Sequence, residues 1–112
     1  MAAIHMRAVV PSDVKLFVAV VAAAARVTKE RYPRSTLNVI LWDADPKDDP
    51  RFALLEDKLH ADGVRVYRET AAIPDLRSNY FRYALSIHDF HPNALQNMLL
   101  ANYIVQHVLN QP

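Results

Sequence analysis

The chain has 112 residues, 52% of them hydrophobic, enough for one domain with one modest core and too apolar for a disordered segment. Its 13 basic and 12 acidic residues leave a formal net charge of +1, which offers no field to a polyanion and argues against nucleic acid or an anionic membrane as partner. Cysteine is absent, so disulfides, thiolate metal sites and cysteine nucleophiles are excluded and the compartment stays open; the single glycine, Gly63, excludes glycine-built dinucleotide and phosphate loops.

No function is placed on residues 1–6. Ser12 as N-cap and Asp13 in the first turn predict a helix that stops near Tyr32, because Pro33 disfavours helical geometry just before it. Within it, residues 16–25 are wholly apolar, follow Lys15 and contain Ala22-Ala23-Ala24, the form of a secretory signal and too short to span a bilayer. The other reading is a buried helix running into a polar last turn, where Arg26, Lys29 and Arg31 suit the negative end of the helix dipole.

Residues 37–42, Leu-Asn-Val-Ile-Leu-Trp, form an apolar run of strand length with the pattern of a strand covered on both faces. The acidic turn from Asp43 to Pro50 then leads, through Asp49 as N-cap and Pro50 at the first helical position, into a helix over residues 51–62. That helix puts Phe52, Leu55 and Leu59 on one face and ends at Gly63, a left-handed C-cap. A short strand over 64–67 follows, completing a strand–helix–strand unit with a right-handed crossover expected. Residues 68–86 are irregular around Pro74, with part of 76–85 helical. Asn93 caps a last helix, on which Ala94, Met98, Ala101, Val105 and Val108 recur at helical spacing; with no Asp, Glu, Lys or Arg after Pro92 it is expected to be well covered.

Two strands do not make a covered parallel sheet, since such sheets need several strands and helices on both faces. The expectation is one α/β domain over residues 1–112 that is the C-terminal part of a larger domain, or that a second chain completes. Self-association or pairing with the missing half follows from its uncovered edge and apolar faces. Trp42, Tyr67, Tyr80 and Tyr83 read as core or interface residues, and His60 and His107 as surface or partly buried residues of helices.

The densest chemistry lies in Ile87-His88-Asp89-Phe90-His91-Pro92-Asn93-Ala94. A histidine that takes a proton from a hydroxyl needs its other ring nitrogen held by an acceptor, and an aspartate two residues away is such a holder. The same residues also suit a plain turn and helix cap beside proline. His88 and His91 have a metal-like spacing without an evident third ligand, and no cofactor or metal is implied.

Asp89-Phe90-His91-Pro92-Asn93-Ala94, followed by Leu99-Leu100-Ala101 and an apolar helix, resembles the last conserved block of the SGNH (GDSL-type) hydrolases. The preceding element order is similar to the C-terminal half of that fold, so the resemblance spans residues 13–109, with its specific part between Asp89 and Ala101. It implies a three-layer, flavodoxin-like parallel-sheet unit in which His91 is the general base for a serine nucleophile and Asp89 orients it. It further implies hydrolysis of a small carboxylic ester through an acyl-serine intermediate, with Pro92 keeping His91 extended. One residue separates Asp89 from His91 where the family more often has two. The family's Gly-Asp-Ser, glycine and Gly-x-Asn-Asp blocks are absent, and Ser12, Ser35, Ser78 and Ser86 lack that context.

Two other readings stand beside it. Asp43-Ala44-Asp45 after an apolar strand resembles the Asp-x-Asp start of haloacid-dehalogenase-type phosphatases, with an acidic turn as its structural alternative. The chain as a whole also fits a non-catalytic α/β module that pairs with another chain.

Overall fold

The computed structural model describes residues 10–110, so residues 1–6 lie outside the described part. Helix α1 (Pro11–Arg31) begins one residue before Ser12, with Val10 as the flanking cap. Proline sets that start because it lacks the N–H that a first turn leaves unpaired, and Asp13 reaches back to accept the Val10 N–H at 2.9 Å. At the other end Tyr32 N–H donates to the Thr28 carbonyl at 2.8 Å and the helix stops, as Pro33 requires.

Strand β1 (Asn38–Leu41), helix α2 (Asp49–Ala61) and strand β2 (Arg65–Arg68) form the expected strand–helix–strand unit. The strands are parallel, with Val39 opposite Val66 and Leu41 opposite Arg68. A 3-10 turn, Pro46–Asp48, precedes α2 and moves the helix cap from Asp49 to Asp48. The helix ends as the sequence predicts: Gly63 has φ +76°, its N–H meets the His60 carbonyl at 3.0 Å, and the Val64 N–H meets that of Leu59 at 3.0 Å. This pair of bonds is a Schellman cap, which an L-residue with a Cβ adopts only at a cost. A Cβ at Gly63 meets nothing within 4 Å. Gly63→Ala therefore loses only the backbone preference, expected at about 1 kcal/mol and read as a lower urea midpoint.

Side-chain alternation sorts the parallel pair into two faces. Val39, Leu41 and Val66 pack with Val14 and Val18 of α1 and with Phe52 and Leu55 of α2. On the opposite face Tyr67 meets the Tyr103 ring edge-on, centroids 6.2 Å apart. Helical residues thus cover both faces, and the architecture is α/β.

The chain then makes a short helix α3 (Glu69–Ala72), a helical turn α4 (Tyr80–Tyr83) and a hairpin of β3 (Ala84–Ser86) and β4 (Asp89–Pro92). The described residues therefore hold four strands in two two-stranded sheets, where two strands were expected. Ile73, Leu76 and Tyr83 form a second buried cluster with Ala44, Leu95 and Leu99, which docks helix α5 (Ala94–Tyr103).

Two expectations about coverage are corrected. Of α1 only Val14 is buried, while Leu16 is 65% and Val20 59% exposed, because a single stripe meets α2 and the sheet. On α5 and the turn after it, the stripe of Ala94, Met98, Ala101 and Val105 faces outward, and Leu95, Gln96, Leu99 and Tyr103 turn inward. Apolar residues surround this helix on nearly every side, so periodicity alone does not choose the buried face. The turn of π-helix at Ile104–Val108 shifts the phase again and brings Val108 back into the interior.

Candidate functional site

Asp89 and His91 lie two residues apart on β4, each at a place set by the hairpin. Ser86 pairs with Asp89 and Ala84 with Pro92, so Phe90 and His91 together face the single residue Leu85. A bulge of this kind turns side chains out of the plain alternation of a strand. Pro92 keeps His91 extended, and Asn93 opens α5 by accepting the Gln96 N–H at 3.0 Å. The Asn93 side chain also donates to the carbonyls of Arg82 at 2.8 Å and Ala84 at 3.1 Å, tying helix start and hairpin into one unit. Behind the pair, the Tyr80 hydroxyl donates to the Phe90 carbonyl at 3.0 Å, and the Phe90 ring meets Tyr80 and Phe81.

Within this frame Asp89 Oδ1 lies 2.6 Å from His91 Nδ1 and accepts the His91 backbone N–H at 3.1 Å. The ring bond first, and the backbone bond second, hold the Asp89 carboxyl below the usual carboxylate range. An ionised carboxylate only accepts, so Nδ1 is the donor in this contact and Nε2 is the nitrogen left to exchange a proton. The His91 side chain is 83% exposed. Such a pair takes a proton from a hydroxyl or water placed at Nε2 and stabilises the imidazolium that results.

Trp42, the residue after β1, closes a shallow groove of about 390 Å³ with His88, Asp89, Phe90, His91 and Pro92. The pair therefore sits at the carboxyl end of the parallel strands, where ligands of such sheets collect. Trp42 is 52% and Phe90 58% exposed. Trp42 thus belongs to the groove wall, a role its place at the end of an apolar run does not reveal.

The serines are placed as follows. Ser78 donates to the Asp75 carbonyl at 3.2 Å and Ser86 accepts the His88 N–H at 3.1 Å, while Ser12 lies in α1 and Ser35 in the turn after it. His88 lines the groove with His91, and among the described residues no group of three or more His, Cys, Asp or Glu side chains is arranged to hold a metal ion.

Asp43 opens the acidic turn but points into the interior. It is fully buried, accepting the Thr70 N–H at 2.9 Å on one oxygen and the Thr70 hydroxyl at 2.6 Å on the other. Arg77 Nη2 lies 3.6 Å and Arg68 Nη1 3.9 Å from the same carboxylate, and both guanidiniums continue to Asp49. Asp45 caps the 3-10 turn through the Lys47 N–H at 3.0 Å. With both oxygens occupied, Asp43 is a structural anchor between the ends of β1 and β2, which argues against the phosphatase nucleophile. The signal available in the sequence was the spacing of two arginines and a threonine downstream, which no local pattern connects to Asp43.

Compared with known proteins, the sequence matches no family model, no curated protein and no solved structure.

Proposed function

We propose that this chain supplies the general base, His91, and its orienting carboxylate, Asp89, to an SGNH-type serine ester hydrolase, with β1, β2 and their helices forming part of a flavodoxin-like sheet unit. The observation that carries the reading is the 2.6 Å Asp89–His91 contact on a bulged strand, with the far side of the ring open beside an apolar groove. In this reading His91 Nε2 takes the proton of a serine as it attacks the ester carbonyl, and Asp89 stabilises the imidazolium. The proton passes to the leaving alcohol, and His91 then activates the water that cleaves the acyl-serine. Trp42 and Phe90 bear the apolar part of a small carboxylic ester.

The nucleophile and oxyanion donors belong, in this proposal, to a polypeptide segment packed on the surface that the chain leaves apolar. Leu16, Phe17 and Val20 of α1 and Phe81, Leu85 and Ile87 beside the pair are exposed, and β1 has only β2 as a neighbour among the described residues. The same exposure favours a second reading, a non-catalytic α/β module that pairs with another chain or with its own copy.

A fluorophosphonate that labels activated serines separates the two, read by intact mass. The isolated chain is expected to take no adduct, and a form that includes a Gly-Asp-Ser block is expected to take one. An adduct on Ser78 or Ser86 of the isolated chain would overturn the placement of the nucleophile, and no adduct on either form would leave the pairing module.

A further inference from the structure

Glu69, the first residue of α3, and Gln96, in the first turn of α5, meet in the interior, each only 1% exposed. The Gln96 side-chain amide donates to Glu69 Oε1. Two oxygens, Glu69 Oε2 and Gln96 Oε1, are then left buried without a partner. An ionised carboxylate and an amide oxygen both only accept, so an ionised Glu69 leaves two buried acceptors without a protein donor. That arrangement is costly, since a buried polar atom without a hydrogen bond forfeits its hydration. A single proton on Oε2 turns one of the two acceptors into a donor and lets acid and amide bond reciprocally.

We propose that Glu69 is a neutral acid in the folded protein, and that its reciprocal pair with Gln96 is a proton-dependent clasp holding the first turn of α5 to the end of β2. The clasp lies three residues after Asn93, the residue that joins α5 to the strand carrying His91. It does not depend on the hydrolase reading.

The electrostatic surroundings agree. Burial, and more weakly the Asp43 charge, push the Glu69 carboxyl above the usual glutamate range, against the opposing pull of the Gln96 bond. Asp43 faces it from the end of β1, with Arg68 and Arg77 at that aspartate. From α5 no acidic or basic side chain faces it, because the helix has none. On the α4 side Tyr83 donates to Asp75 at 2.5 Å, and Arg82 lies 3.9 Å from Asp75.

A carboxyl whose folded pKa is raised holds a proton that the unfolded chain has lost. Its contribution is complete below the ordinary glutamate value and disappears as pH rises through the folded value. The test is thermal unfolding of the chain and of Glu69→Gln from about pH 4 to about pH 9, a span that starts near the unperturbed glutamate value. The glutamine keeps two reciprocal amide bonds and cannot titrate. The Tm of the variant relative to the unmodified chain is expected to rise with pH, by roughly 4–8 °C at the alkaline end. A difference constant across the range would overturn the clasp. An infrared spectrum of the unmodified chain at neutral pH, which needs no variant to fold, is expected to contain a neutral-carboxyl band; its absence would equally overturn the proposal.

Discussion

In the proposed ester hydrolase, replacing His91 by alanine is expected to lower ester hydrolysis at least ~10⁴-fold while leaving the thermal midpoint unchanged. The two halves of that expectation have separate physical origins. A serine hydroxyl is a weak nucleophile at neutral pH, and without a base at hydrogen-bond distance its proton has nowhere to go during attack. The ring, by contrast, is 83% exposed and contributes a side chain to no buried cluster, so its removal opens no cavity. Asp89→Asn is the companion measurement. It removes the acceptor that fixes Nδ1 as the protonated nitrogen, and is expected to reduce kcat while His91 remains in place. Asp89 is itself 48% exposed, so water partly replaces it and the loss is expected to be smaller than that from His91→Ala. Full activity in the His91→Ala protein would sink the assignment.

The largest stability effect is expected at Asp43. Asp43→Ala should lower unfolding free energy by about 3–5 kcal/mol, the range found when one partner of a buried charge network is removed. The carboxylate is fully buried and accepts both the backbone N–H and the hydroxyl of Thr70. Its own backbone carbonyl accepts two N–H bonds from Arg77, at 3.0 and 2.8 Å, which draws the guanidinium onto the end of β1. Without the carboxylate, the Thr70 donors and two guanidiniums converge on an empty, poorly hydrated position. Asp43→Asn keeps the volume but replaces one acceptor by a donor opposite Thr70, so an intermediate loss is expected. Urea titration reads both, with a shifted midpoint at unchanged slope. An alanine variant within about 0.5 kcal/mol of the unmodified chain would mean that the network is dispensable.

How far the sequence reached differs from element to element, for identifiable reasons. The strand–helix–strand unit was legible because its signals are local: an apolar run, a proline at a helix start, and a glycine at a left-handed cap. The hairpin was not. Its strands are short, Ala84–Ser86 and Asp89–Pro92, its turn lacks glycine, and the run Leu85, Ile87 and Phe90 shows no buried face to set a strand period. The Asp89–His91 pairing was legible because both residues lie within one short segment, where spacing nearly dictates contact. The groove was not, since Trp42 joins His91 in its lining only after β1 and the hairpin are brought together across 48 intervening positions of chain.

Helix coverage was misjudged for a related reason. Hydrophobicity reports which residues favour burial, but the area that buries them depends on how many layers surround the helix. On α1 and α5 there are more apolar residues than covering surface among the described residues, and part of each stripe remains exposed.

By itself the sequence determined the strand–helix–strand order of β1, α2 and β2, the Gly63 cap, the Asn93 helix start and a carboxylate–imidazole pair ahead of the last helix, because each rests on backbone preferences or contacts within a few residues. Only the tertiary structure decided that Asp43 is a buried anchor, that Glu69 meets Gln96, that Trp42 walls the groove, and which side of α5 faces inward. Those outcomes depend on which distant segments share a buried interior, where the cost of an unpaired polar atom exceeds any local preference.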